Sequence, residues 1–172
     1  MALTPAQQAT LKTDILTTHQ AEFAAMVAAA DHQLIAEAYN LLQTPDYWAW
    51  KTLLTHAECV GVTSGDGTNW SWPLYHAQPE EKRDGWKLMF APTRQSDPPS
   101  INASLPNIRQ GIADIFPAGA QRTHLLAIAR RKALRIERLF ATGTGSTASP
   151  GVFSFEGTLS YLDIANALAE EA

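Results

Sequence analysis

The sequence predicts a mainly α-helical fold: a bundle of about six helices, with at most a short β-hairpin or strand and a C-terminal arm. Three observations lead there. Alanine, the best helix former, occurs 28 times in 172 residues, mostly in the first and last thirds. Apolar residues recur at spacings of three and four through those thirds. Ser, Thr or Asp stands where several of these runs begin, as a helix N-cap does.

The first helix starts at Thr4-Pro5-Ala6-Gln7. Thr caps, Pro takes the first helical position, and Gln lies three residues after the cap, which is a capping box. Leu11 and Ile15 then share a face. A second helix covers Gln20 to Ala29, with Phe23 and Val27 four apart. Asp31 caps a third, carrying Leu34, Ile35, Ala38, Leu41 and Leu42, and Thr44-Pro45 ends or restarts a helix. Asp46 to Thr52 reads as a short extended piece, since Trp48 and Trp50 alternate. Thr55-His56-Ala57-Glu58 is a second capping box. Thr63-Ser64-Gly65-Asp66-Gly67 signals a turn, and Trp70 and Trp72 alternate after it, so a small hairpin is expected over 60–75.

A helix with an acidic start runs from Gln78 to Phe90 and holds Trp86, Leu88 and Met89. Asp97-Pro98-Pro99-Ser100 is a loop. Ser104 is expected to cap a helix with Ile108, Ile112 and Ile115 on one face, broken by Pro117-Ala118-Gly119. The longest helix is expected from Arg122 to about Phe140. Residues 142–151 hold three glycines, three threonines, two serines, a proline and no charge. They read as a flexible linker. A short strand at Val152 to Phe155 follows, and Ser160 caps a last helix, Tyr161 to Ala169. The expected organisation is therefore a helical body over 1–141 and a linker with a docking segment over 142–172.

Composition narrows the function classes. Hydrophobic residues make up 45% and charged residues only 17%, against about 25% in an average soluble domain. The surface is therefore finished with small and uncharged polar residues, or partly covered by other chains. The net charge of −4 argues against nucleic-acid binding by bulk attraction. A single cysteine, Cys59, excludes an internal disulfide and a cysteine-cluster metal site. No apolar run approaches the ~18 residues of a membrane span. The start, MALTPAQQATLK, lacks the basic region and apolar core of a signal peptide.

Four constellations invite a functional reading. On one long helix, Arg131, Arg135 and Arg138 would follow i, i+4, i+7 spacing and form a positive stripe. That stripe suits an acidic partner protein, or an ordinary solvated face. Gly143-Thr144-Gly145-Ser146 resembles a phosphate cradle only superficially, because no Gly-Lys-Ser/Thr follows it. The five histidines lack the spacing of zinc ligands, and His56 with Cys59 lacks the further groups a nucleophilic site needs. Trp48, Trp50, Trp70, Trp72 and Trp86 crowd into 39 residues, as the core of a subdomain or as interface anchors. Glu80, Glu81 and Asp84 are a close acidic set, but on a helix start they favour the dipole. No catalytic residue, cofactor or metal is expected.

Residues 139–164 read LFATGTGSTASPGVFSFEGTLSYLDI. This segment resembles the C-terminal signature of small virion-associated structural proteins of tailed bacteriophages and prophages of Gram-negative hosts. The likeness extends to Leu3-Thr4-Pro5-Ala6-Gln7-Gln8, to Ala38-Tyr39-Asn40, to Pro106-Asn107-Ile108-Arg109 and to Arg122-Thr123. It implies a viral protein with no catalytic residues, located in the virion and assembled in the bacterial cytoplasm. From size, helix content and the tail, the expected role is a ring-forming neck or head–tail adaptor subunit joining portal to tail. The rivals are a capsid decoration (cement) or tail-completion protein and, from another class, a small hydrolase or nuclease. Expected partners are copies of the chain in a ring and portal or tail proteins, with DNA touched only as channel lining and no membrane. The expected partner surface comprises Arg131, Arg135 and Arg138 together with Val152, Phe153, Phe155, Tyr161, Leu162 and Ile164. The last six should not be left in water, so the segment needs either its own body or a neighbour to bind.

Overall fold

The computed structural model describes residues 3–61, 70–91 and 98–169. In chain order the helices are α1 (Pro5–Thr13), α2 (Gln20–Ala28), α3 (His32–Tyr39), α4 (His56–Cys59), α5 (Trp72–His76), α6 (Glu80–Met89), α7 (Pro106–Ile115), α8 (Ala120–Ile128), α9 (Arg135–Leu139) and α10 (Tyr161–Ala169). A turn of π-helix, Asp14–Thr18, lies between α1 and α2. The strands are β1 (Trp48–Trp50), β2 (Leu54–Thr55), β3 (Ser100–Ile101), β4 (Arg130–Lys132), β5 (Ala141–Thr142) and β6 (Val152–Phe153). They pair as β1–β4, β2–β3 and β5–β6. The fold is mainly α, as expected, but it is not one bundle of six helices. The chain forms two compact units, Met1–Trp48 with Lys132–Ala172, and Ala49–Arg131.

In the first unit the local signals set the helix ends. Thr4 accepts from the Gln7 N–H, and Gln7 Oε1 accepts in return from the Thr4 N–H, so the capping box closes. Asp31 caps α3 by accepting from the Leu34 N–H. The helices then bury one face each: Leu11, Ile15, Phe23, Ile35 and Tyr39 meet Ile136, Phe155, Leu159 and Ile164 in one core. Burying a Leu, Ile or Phe side chain contributes about 1.5–3 kcal/mol.

The C-terminal segment thus packs part of its apolar side chains on its own chain. Phe155, Leu159, Ile164 and Ala167 are buried in this core. Asn40 clamps the segment from α3: its side-chain amide donates to the Leu159 carbonyl and accepts the Leu159 N–H, at 2.9 and 2.8 Å. A division at 141/142 is not where the chain divides. Nor is 142–151 a loose linker. Its backbone oxygens at Thr142 and Gly143 accept from the Tyr47 hydroxyl at 3.0 and 3.1 Å. Trp48 donates its N–H to the Gly145 carbonyl and accepts one from Gly151. Gly145 has φ +68°, and a Cβ there would lie 2.0 Å from the Tyr47 ring. Only glycine fits both demands.

The second unit is built around aromatics. Trp86 is buried against Phe90 and Phe116, with ring centroids 4.8 and 5.1 Å away. Trp70 stacks on Trp86 at 5.7 Å. Leu54, Ile112 and Leu125 close the same core. Leu54 also pairs with Ile101 across β2–β3, a pairing no sequence signal announced.

Three further expectations are corrected. The helix expected over 122–140 is two helices separated by β4. Its interior backbone is used elsewhere: Lys51 donates to the Ala129 carbonyl, and the Ala133 N–H donates to Tyr47. Trp72 is not in a strand but opens α5, which Ser71 caps through the Leu74 N–H, with Pro73 in the first turn. The turn expected at 63–67 lies outside the described residues. Ser104 does not cap α7. Its N–H and hydroxyl both donate to the Asn102 side chain, and the helix starts instead at Pro106.

Candidate functional site

A cleft of the first unit has a volume of about 620 Å³ and is lined by residues of the π-turn, α3, the segment after α3, and α9, together with His19 and Glu22. The π-turn makes its charged wall. His19 donates its N–H to the Asp14 carbonyl, five residues back, at 2.8 Å. Such a turn inserts one residue into the helical register, a device common at functional sites. Asp14, His19 and Glu22 all line the cleft.

Across from them stand Tyr39 and Arg135. The Tyr39 hydroxyl donates to Asp14 Oδ2 at 2.6 Å. Arg135 donates from both terminal nitrogens to the two Glu22 oxygens at 2.6 and 2.7 Å, a two-pronged pair that fixes angle as well as distance. Its guanidinium also lies 5.0 Å from the Phe23 ring centre and 4.9 Å from that of Tyr39. The two rings are stacked at 5.3 Å. His19 lies 3.8 Å from Asp14 and 3.6 Å from Glu22.

Titration follows from these contacts. The Arg135 hydrogen bonds hold the Glu22 carboxyl below its usual range, and Glu22 raises Arg135 in return. Burial, then the bond to Asp14, pushes the Tyr39 phenol well above its ordinary value. Tyr39 is therefore a fixed donor and not a base at neutral pH, and the Arg135 and Glu22 charges answer each other. This network ties the π-turn, α2, α3 and α9 together. The groups of the cleft left for a ligand are Arg138 and the apolar side chains of Leu41, Leu42 and Leu139. Arg138 stacks 4.4 Å from the Tyr47 ring centre. No carboxylate among the described residues pairs with it.

The expected partner surface is split by the fold. Arg135 and Arg138 share α9 and the cleft, but Arg131 lies in β4, within the second unit, so no stripe of three forms on one helix. Phe155 and Ile164 are buried in their own core. Phe153 is half-buried, Val152 more open, and Tyr161 and Leu162 are 52% and 53% exposed. The sequence missed the network of Asp14, Glu22 and Tyr39 with Arg135 because its members lie on separate helices; only the helical spacing of Tyr39 with Ile35 hinted at an inward face.

Elsewhere the chemistry is quiet. Among the described residues no group of three His, Cys, Asp or Glu is placed to hold a metal. Cys59 is fully buried beside the core, and burial, then Glu58, pushes its thiol up to about 12. Such a thiol forms almost no thiolate at neutral pH. His56, on the same helix, packs edge-on against Phe90 at 5.2 Å. Of the five tryptophans, Trp70 and Trp86 are buried while Trp72 is about half exposed. Trp50 lies under Arg109 at 4.6 Å, and Trp48, in the first unit, lies under Lys132. No helix among the described residues is long and apolar enough to cross a membrane.

No family model, curated protein sequence or solved structure matches this chain.

Proposed function

We propose that the chain is a structural subunit of a tailed-phage particle, and within it a ring-forming neck or head–tail connector subunit that joins portal to tail. The supporting observation is the apolar surface left open. In the first unit Leu34, Leu41, Leu42, Tyr161 and Leu162 are exposed, and in the second Leu53, Trp72, Leu74, Leu88 and Leu105. So many large apolar side chains on a chain with 17% charged residues suit surfaces that neighbours cover. Tyr161 and Leu162 bear on this most directly. They stand outward on α10 while Ile164 and Ala167, on the same helix, are buried. Packing fixes the helix, and its outer face is free for a second chain. A contact between two different patches of one chain closes into a ring when the rotation allows. The likeness of residues 139–164 to virion proteins points the same way.

The test is genetic. A producing strain that lacks the chain accumulates separate heads and tails under the electron microscope. Restoring the chain with Tyr161→Ser and Leu162→Ser leaves a folded protein, by circular dichroism, that fails to join them. Complete infectious particles without the chain overturn the proposal. Intact but fragile heads would point instead to decoration. Turnover of a nucleic acid or ester, abolished by one point mutation, would replace the structural class with an enzyme.

A further inference from the structure

We propose that the cleft of the first unit docks an extended segment of a partner protein, one carrying a carboxylate among apolar side chains, which adds as a strand to the open edge at Leu42. The backbone makes that edge. Leu42 and Leu134 face each other in an antiparallel bridge. The bonds that form it flank them: Arg135 donates to the Leu41 carbonyl, and Gln43 donates to the Ala133 carbonyl. In such a pair the N–H and C=O of the two facing residues point away from each other, outward from the bridge.

The two outward edges differ. On the Leu134 side both groups are satisfied: its N–H donates to Glu137 Oε2 at 2.9 Å, and its carbonyl accepts from the Arg138 N–H. On the Leu42 side neither group has a partner among the described residues. Leu42 lines the cleft, and its side chain is 57% exposed, with Leu41 beside it at 66%. An unpaired edge with apolar side chains is what an added strand recognises: main-chain bonds give affinity, and the side-chain surroundings give selectivity.

Charge selects the occupant. Glu22 is taken by Arg135, and Asp14 by the Tyr39 hydroxyl. Arg138 remains a cation of the cleft that no carboxylate among the described residues answers, and it stacks on the Tyr47 ring. A carboxylate on the incoming strand meets it, while Leu41, Leu42 and Leu139 take the flanking apolar side chains. The volume of about 620 Å³ admits such a segment. This docking stands whether or not the chain belongs to a virion.

The experiment uses the full chain, labelled with nitrogen-15, and the probe acetyl-Val-Leu-Asp-Leu-Val-amide. Its Asn counterpart and a version with its backbone amides methylated serve as comparisons. Saturable shifts are expected at the Leu42 amide and the Arg138 side chain, with Leu42 gaining protection from hydrogen exchange. The Asp peptide should bind about tenfold tighter than the Asn peptide. Arg138→Gln should erase that difference, Arg138→Lys should retain part of it, and methylation should abolish binding to the native chain. Absence of a shift at Leu42 with any peptide overturns the proposal. Equal response of Arg138 to acetate alone, with Leu42 unmoved, reduces the site to an anion contact and also overturns it. Concentration-dependent shifts at Leu42 without peptide would make a second copy the occupant, against the proposal.

Discussion

Arg135 and Glu22, 113 residues apart in sequence, meet in a two-pronged ion pair at 2.6 and 2.7 Å that fastens α9 to α2. The Glu22 side chain is 44% exposed, so solvent screens much of the Coulomb term. A double-mutant cycle of Arg135→Ala and Glu22→Ala should give a coupling of about 0.5–1 kcal/mol in denaturant unfolding. Arg135→Ala alone should cost more than Glu22→Ala, because it also uncovers the Phe23 and Tyr39 rings. The sign with pH follows from the lowered carboxyl. The folded state holds Glu22 ionised below its ordinary 4.5, so the contribution is full above that pH and is lost as pH falls through the folded value. A cycle repeated at acid pH should show the coupling vanish.

The second unit should weaken as pH falls through the range below neutrality. Burial against Phe90 and Trp86 lowers His56 from its ordinary 6.5. Below that pH the unfolded chain binds a proton that the folded chain resists, so stability falls with pH. Unfolding followed by tryptophan fluorescence should show this slope, and His56→Phe should flatten it. An unchanged slope in the variant would remove His56 from the account.

Cys59 should resist thiol reagents in the native protein. It is fully buried, and its thiol is pushed up to about 12. Labelling should be slow at neutral pH and reach one equivalent only in denaturant. Rapid native labelling would contradict the burial.

Gly145→Ala should destabilise the first unit by at least about 1–2 kcal/mol. The residue sits at φ +68°, where an alanine is strained. The added methyl also collides with the Tyr47 ring, which anchors the 142–151 loop by its hydroxyl. Thermal unfolding measures the loss. Gly157→Ala offers a comparison, since its Cβ would meet nothing within 4 Å, although its φ of +133° carries strain of its own.

These cases show which parts of the structure were legible. The caps at Thr4, Asp31, Thr55 and Ser160 are local: a side chain satisfies a backbone group three residues away, and each stands in the structure. The interruption of 122–140 was not legible, because its cause is Lys51 and Tyr47, some 80 residues back along the chain. The order of the glycine loop likewise depends on Tyr47, whose position no nearby residue announces. The cleft shows the same limit. Arg135 and Arg138 were visible as a basic pair, but Asp14, Glu22 and Tyr39 join Arg135 through packing of separate helices.

Deletion of residues 151–172 should unfold the first unit and not leave a stable body. The segment supplies Phe155, Leu159, Ile164 and Ala167 to the core and receives the Asn40 clamp. Ile164→Ala alone should cost about 2–5 kcal/mol, whereas Tyr161→Ser and Leu162→Ser should be nearly neutral in the isolated chain. Circular dichroism and urea titration distinguish these. A truncated chain that keeps its helix content and cooperative unfolding would return the segment to the status of an arm.

We propose that this chain is a ring subunit at the neck of a phage particle. Electron cryomicroscopy of purified particles, with the chain placed by its side-chain density, tests it most directly. A closed ring between portal and tail is expected, with the outer face of α10 at Tyr161 and Leu162 covered by a neighbour. Particles that lack the chain, or that carry it spread over the capsid lattice with this face in solvent, would contradict it.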